Sequence, residues 1–534
     1  KDQYQGLNHE LSGKLLARGF SGKFQTQLLN SEGFDEKTEF FRNLTDISQK
    51  LFKNSTIKVG AIYDAERNIR KNTLAQDSLS SISTGYDLIK LYFNNSKDKV
   101  FHYQLNGSKR LDYFPNNNAL VKSIETNEYK LNTTYTPGGN YNLNLQFGWR
   151  DFQVTEPDFV PEGTSKSKKT LIGKFDQNFK ALHGLFIGTT TYIINSGQEP
   201  KTEYFYEKVE TGQGDYIYIG NPDSTLINAN FRYAPDLGTA NYIRLTLINN
   251  EFITTNNQSI SQSLRIEPAQ ILREKDSKGA KFLKRFASIH TFRVTKKTED
   301  QEGGDNGFFN FSTDSPNLVS YTSLINNTLF YNRGNPQFDL QLGNKSSQNI
   351  YTQISGREDR GISEYFTRAR IRVMSSSDLI LQSKYGAKTY ASELIPSRDF
   401  DIQYYQINPE ISIRPSSSFR VGALYTYVFR DQQINNQERA ISHDFTINST
   451  YRQSSNSNIN ASLSFVQVKY NGEANSPIEF DLLEGLKNGQ NFIWNFLFTK
   501  RLSNNIDLNI NYEGRKNGDS PVVHIARAQV KATF

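Results

Sequence analysis

Apolar and polar residues alternate with a period of two along most of this chain. Near its end Ile506, Leu508, Ile510 and Tyr512 alternate with Asp507, Asn509, Asn511 and Glu513, the spacing that sends successive side chains to opposite faces of an extended strand. Upstream, Phe492, Trp494, Phe496 and Phe498 share one face, and Phe419, Val421, Ala423, Tyr425, Tyr427 and Phe429 share another. The final segment repeats the pattern: Ala526, Ala528, Val530 and Ala532 lie on one side, with Arg527, Gln529, Lys531 and Thr533 on the other, and the segment ends on Phe534. A terminal strand closed by an aromatic residue is what an outer-membrane barrel places at the membrane interface. Phe534, Val530 and Ala532 are therefore read as a C-terminal insertion signal, and Phe492, Trp494, Phe496 and Phe498 as lipid-facing aromatics.

The connections carry a second pattern. Short Ser/Asn-rich turns are predicted at 344–349, 374–378, 414–419, 452–458 and 501–505, and longer connections between them at "REDRGISE", "SELIPSRD", "RDQQINNQER" and "NGEANSPIEFDLLEGLKNGQN". Tight turns at one end and longer loops at the other are the mark of an up-and-down membrane barrel with periplasmic turns. The first 350 residues fit less regularly. They hold a hairpin turning at 137–140, loops at 70–84, 155–168 and 295–306, and a segment at 39–51 that reads as a short helix or a strand pair. At about 24 residues per strand with its connections, the chain holds roughly 20 to 24 strands, an even number being expected. The fold class is all-β, a transmembrane up-and-down antiparallel β-barrel, with residues 1–534 forming one barrel domain. Patterning begins near residue 8, leaving no stretch for a separate plug.

Composition narrows the functions. Only 36% of the 534 residues are hydrophobic, mean hydropathy is −0.63, and no run approaches the roughly 20 apolar residues of a membrane helix. Barrel strands escape that test because only alternate residues meet lipid. The 29 Tyr and 37 Phe suit aromatic girdles. Zero Cys excludes disulfides, thiolate metal sites and cysteine nucleophiles. The net charge of +7 is spread singly along strands, which speaks against nucleic acid. Lys1 is followed by no apolar signal core, so the chain reads as processed or as part of a longer protein.

Several segments, "TLFYNRGNPQFDL", "DLLEGLKNGQNFIWNF", "INYEGRKNGDSPVVHIARAQVKATF", "GQGDY" and "SQSLRIEP", resemble a family of large, mostly uncharacterised outer-membrane proteins of the Bacteroidota. The resemblance implies an outer-membrane barrel, often preceded by soluble N-terminal modules, and no settled activity. Relatives follow the Gly-x-Gly-Asp-Tyr segment with an acid-rich stretch similar to a calcium loop. Here Asp223 is the only acid in the corresponding stretch, which puts a calcium site in doubt.

Candidate chemistry is sparse. Arg368, Arg370 and Arg372 alternate with Ala369, Ile371 and Val373, while Lys384 and Lys388 follow the next turn on a face that can lie beside them. Charges facing lipid near the midplane cost about 2–4 kcal/mol each, so this patch points inward. It either forms a cationic lumen that attracts anions or pairs with acids across the lumen and simply supports it. The six histidines have no metal-ligand spacing, the Gly-rich segment at 211–220 lacks the Gly-Lys-Ser/Thr ending of a phosphate loop, and no catalytic set stands out. The residues 481–489 interrupt the strands with Leu482, Leu483 and Leu486 and read as a helical turn in the lumen or a loop tucked against the rim. The expectation is a non-enzymatic outer-membrane barrel, without cofactor or metal, in contact with outer-membrane lipids. Its function is read as that of a subunit in a multi-protein assembly for export, translocation or surface assembly, with its lumen sealed by partners or loops. The alternative is a stand-alone, porin-like solute channel preferring anions.

Overall fold

A computed structural model describes residues 5–33, 36–52, 56–72, 78–116, 118–156, 167–219, 230–233, 240–299, 309–353, 356–393, 396–434, 438–453, 456–474, 476–503 and 505–532. Contacts divide the chain into two units, the first essentially residues 1–180 and the second chiefly 198–255 and 260–534.

The first unit contains β1 (Gln5–Ala17), β2 (Phe20–Glu32), β3 (Glu36–Lys50), β4 (Lys58–Asn72), β5 (Ser78–Leu79), β6 (Thr84–Asn94), β7 (Phe101–Asn116), β8 (Ala119–Gly138), β9 (Tyr141–Val154) and β10 (Ser167–Ala181). Each long strand pairs antiparallel with the next, and the two-residue β5 sits beside β4. The β1–β2 turn has Arg18 and Gly19 at φ 39° and 90°, the left-handed pair that matches the twist of a two-residue hairpin. The turn expected at 137–140 joins β8 and β9. The segment 39–51 is neither a helix nor a strand pair: it belongs to the single strand β3, because its apolar positions pair in register with β2 and β4.

In chain order there follow β11 (Phe186–Lys208), the short hairpin β12 (Tyr216–Tyr218) and β13 (Phe231–Tyr233), and β14 (Tyr242–Ile266). Helix α1 (Lys278–Leu283) precedes β15 (Phe286–Glu299), β16 (Leu318–Tyr331), β17 (Phe338–Gln353), β18 (Gly356–Met374), β19 (Ser377–Ser392), β20 (Phe400–Ile413), β21 (Phe419–Gln432), β22 (Arg439–Gln453) and β23 (Ser457–Asn471). Helix α2 (Pro477–Leu483) then leads to β24 (Gly489–Ser503), β25 (Ile506–Asn517) and β26 (Val523–Ala532). From β15 to β26 every strand pairs antiparallel with its successor.

The chain is thus all-β and up-and-down, as its period-two pattern predicts. Of 26 strands, three have two or three residues, leaving 26 − 3 = 23 long ones among the described residues. That lies within the expected range of roughly 20 to 24.

The predicted turns at 374–378, 414–419, 452–458 and 501–505 each span a junction between consecutive strands, overlapping the strand ends. The one at 344–349 does not: those residues run through the middle of β17, and the turn lies at 332–337, where Asn332 and Gly334 take φ 56° and 76°. "NKSSQN" is polar because it alternates Ser and Asn on a paired strand, where Ser346 and Ser347 face Ile325 and Leu324. "REDRGISE" likewise lies within β18, paired on both sides. Of the loops expected at 155–168 and 295–306, residues 167–168 and 295–299 are strand, 155–156 follow β9, and 157–166 and 300–306 lie outside the described residues. At the short-turn end of the second unit one connection is long, 267–285, and holds α1. Its Phe282 packs with Phe286 and Tyr331 at 5.1 and 6.2 Å.

Within each unit the large apolar side chains crowd one face and stay exposed: Leu11 and Phe24 in the first, Tyr385, Phe445 and Leu463 in the second, the last 55% exposed. No second sheet or helical layer covers them among the described residues, the reverse of a water-soluble sheet. No described helix is long and apolar enough to cross a membrane.

Candidate functional site on the polar face

Alternation along β18 sends Tyr365, Ile371 and Val373 to the exposed apolar face and Arg368, Arg370 and Arg372 to the opposite one. The register brings Asp339 of β17 beside Arg370 and Asp378 of β19 beside Arg372. Arg370 Nε donates to Asp339 Oδ2 at 2.6 Å, and Arg368 Nη1 to Asp339 Oδ1 at 3.5 Å. Arg372 Nε donates to Asp378 Oδ1 at 3.3 Å, with Arg370 Nη1 3.8 Å away. Three guanidiniums share two buried carboxylates, so the cations of this row outnumber the acids they pair with. The pairing runs between adjacent strands, not across the polar space.

Further along the same face Lys384 reaches Glu364 at 3.4 Å. Tyr404 Oη donates to the same carboxylate at 2.9 Å. The Tyr404 ring crosses Gly386, where a Cβ would lie 2.9 Å from Cζ, so glycine is what permits the approach. Lys388 pairs with Glu484, which comes from another part of the chain.

Glu484 belongs to the connection 472–488, which folds onto the polar face. Ser476 caps α2, accepting from Glu479 N at 3.0 Å, and Pro477 occupies the first turn, where its missing N–H costs nothing. The helix stops because Glu484 and Gly485 take φ 54° and 81°. "DLLEGLKNG" therefore supplies the end of the helix and its stop, the helix having begun at Pro477. Ile478, Leu482 and Leu483 bury against Ile402, Ala440, Val466 and Val468 of β20, β22 and β23, at about 1.5–3 kcal/mol for each large side chain. Asn491 clamps the far side: its Nδ2 donates to Lys487 O at 2.8 Å and its Oδ1 accepts from Lys487 N at 3.1 Å.

Arg430 Nη2 donates to Glu484 Oε2 at 2.7 Å. Burial pushes the Glu484 carboxyl up, but the charges of Arg430 and Lys388 outweigh it and hold the group below the usual carboxylate range. Beside α2, a cavity of about 670 Å³ opens between the β12–β13 hairpin, the loop and the β25–β26 connection, with Tyr218, Phe480 and Leu486 on its apolar wall and Lys487 and Arg515 at its edge.

The sequence pattern placed the five cations but missed their partners Asp339, Asp378, Glu364 and Glu484, since partners depend on register and on loop folding. One signal was available: Ile402, Val466 and Val468 break the polar rhythm of their face, marking where a loop sits.

On the apolar face Phe492 and Phe496 are 36% and 39% exposed. Trp494 closes over Gly514 and lies 5.7 Å from His524, and Phe498 stands opposite Ile510. Tyr512 Oη and His524 Nδ1 are 2.9 Å apart. Val530, 64% exposed, and Ala532 lie on β26. Phe534 and Asp223 lie outside the described residues.

No protein-family model matches the chain, and no curated protein does. Among solved structures it is similar to the outer-membrane transporter YddB from Escherichia coli, at 8% identity over 92% of this chain and 74% of that one, with a TM-score of 0.34. The ferric-catecholate import receptor Fiu from E. coli K12 in its closed form gives 9% identity, 90% and 76% coverage, and 0.32. The RagAB peptide transporter gives 8%, 96% and 72%, and 0.31. At such identities and scores these titles describe those proteins alone.

Proposed function

We propose that this chain is an outer-membrane β-barrel whose polar face lines a lumen narrowed by its own loops, working as a subunit of a multi-protein outer-membrane assembly. The observation that carries the reading is the docking of α2, through Ile478, Leu482 and Leu483, onto the polar side of strands whose other side exposes Tyr405, Phe445 and Leu463. A sheet that leaves its large apolar side chains bare, and seats a loop among its charges, fits lipid on one side and an aqueous path on the other. The motifs resembling large outer-membrane proteins of the Bacteroidota support the same setting. The cations being paired with acids, the porin-like alternative with an anion preference has less to rest on, and no catalytic role is assigned.

The test is planar-bilayer conductance of the purified protein and of a variant lacking residues 474–487, alongside gentle extraction from the native membrane. A nearly silent wild type, a conducting deletion variant and stoichiometric co-purifying proteins are expected. A wild type that comes out alone and conducts as freely as the deletion variant overturns the reading.

A further inference from the structure

Beside α2, which contributes Asp481, lies a cluster that ion pairing does not satisfy. Arg398 ends a 3-10 turn, Pro396–Arg398, just before β20. Arg232 sits on β13, and Arg360 and Tyr390 on the facing strands β18 and β19, cross-strand partners in register. All three guanidiniums gather on one ring: the Cζ atoms of Arg232 and Arg360 lie 5.0 Å from the Tyr390 centroid, and that of Arg398 lies 5.7 Å away.

The acids nearby are fewer than the cations. Glu358 takes Arg360 at 3.3 Å, and Asp481 of α2 lies 3.5 Å from Arg232 Nε. That leaves Arg398, 3% exposed, with Nε, Nη1 and Nη2 all buried and lacking any hydrogen-bond partner among the described residues. Arg232, 5% exposed, has Nη1 and Nη2 in the same condition, and so has the hydroxyl of Tyr390, 3% exposed. A guanidinium carries five donors in a planar fork, and burying it without an acceptor is among the costliest arrangements a fold can hold. Here two such forks and a hydroxyl are held on the same ring.

We propose that Arg232, Arg398 and Tyr390 form a binding site for a single oxyanion group, a carboxylate or a phosphate presented by a ligand. Planar forks suit either group through paired N–H···O bonds, and the ring of Tyr390 keeps both cations in place by cation–π attraction. Burial, and then the neighbouring Arg232, hold the Arg398 guanidinium down to about 10, the direction expected of a cation waiting for a counter-charge. The site concerns groups of the second unit alone and does not depend on the membrane reading.

The experiment is equilibrium binding to the full-length protein in detergent, with inorganic phosphate and acetate as separate probes and chloride as the ionic-strength control, for wild type, Arg398→Gln and Arg232→Gln. Saturable binding of at least one probe, weakened tenfold or more in both variants, is expected. The two probes distinguish phosphate from carboxylate ligands. Each variant that retains wild-type β-structure by circular dichroism is informative, and Arg398→Met offers a neutral side chain of similar length if Arg398→Gln fails to fold. Removal of the orphaned charge should leave Arg398→Met at least as heat-stable as the anion-free wild type. Wild-type protein that binds neither probe beyond the chloride control, or variants that bind as tightly as wild type, would overturn the proposal.

Discussion

The polar faces of the two units solve the same electrostatic problem differently. In the first unit charges pair within a strand or with the strand beside it: Arg110 with Asp112, Lys130 with Glu128 and Lys174 with Asp176 at 2.8 Å, two residues apart, and Arg67 of β4 with Asp87 of β6 at 2.6 Å. In the second unit adjacent strands pair in the same way, and in addition a loop brings Glu484 to Arg430 and Lys388, 54 and 96 residues away in sequence. Local pairs leave a strand's face wet and independent of the rest of the chain. Distant pairs tie the face to the position of a loop, so the second unit has a part that can be undocked, and the first shows none of this kind among the described residues.

The comparison breaks most completely at the loop's apolar anchor. Leu482→Ala removes a side chain that is wholly buried and should weaken loop docking by about 2–5 kcal/mol. Hydrogen exchange at residues 477–486 should then approach that of the exposed connections, with no change in β1–β10. Arg430→Gln removes one of two cations facing Glu484. Because that carboxylate is half exposed, the expected loss is about 1 kcal/mol, read as faster exchange of the same segment.

Acid sharpens the contrast. The docked Glu484 carboxyl titrates below its ordinary value of 4.5. Its contribution is therefore present above that value and is lost as the pH falls through the docked one. Protection of 477–486, taken relative to intrinsic exchange at each pH, should fall below about pH 4.5 in wild type and less so in Glu484→Gln, a double comparison that separates this group from other acids. The smallest effect belongs to the first unit: Arg110→Gln should change unfolding stability by less than about 0.5 kcal/mol in denaturant titration. A large loss there would mean that its local pairs are not independent after all.

Strand existence was legible most plainly in the last third of the chain, because period-two alternation is a local signal, read residue by residue. Where it misled, polarity was mistaken for a turn. "NKSSQN" and "REDRGISE" look like connections, yet both lie within paired strands, because a strand whose face meets water or neighbouring polar groups need not be apolar on either side. The segment 39–51 was ambiguous for the opposite reason: Phe40, Phe41 and Leu44 suit a helix spacing as well as a strand until β2 and β4 supply their hydrogen bonds.

The arginine row on β18 was visible for the same local reason, but its acids were not. Asp339 precedes it by 31 residues on another strand, and nothing short of the register places it beside Arg370. The sequence by itself determined which face of each strand is apolar and which is charged, since the geometry of an extended chain converts alternation directly into sidedness. Only the tertiary structure decided which charges neutralise one another, that α2 seats on the polar face, and that Arg232, Arg398 and Arg360 meet at Tyr390. Those outcomes depend on bringing segments tens to more than a hundred residues apart to within a few ångströms, and that information resides in register and loop closure, not in any local run of residues.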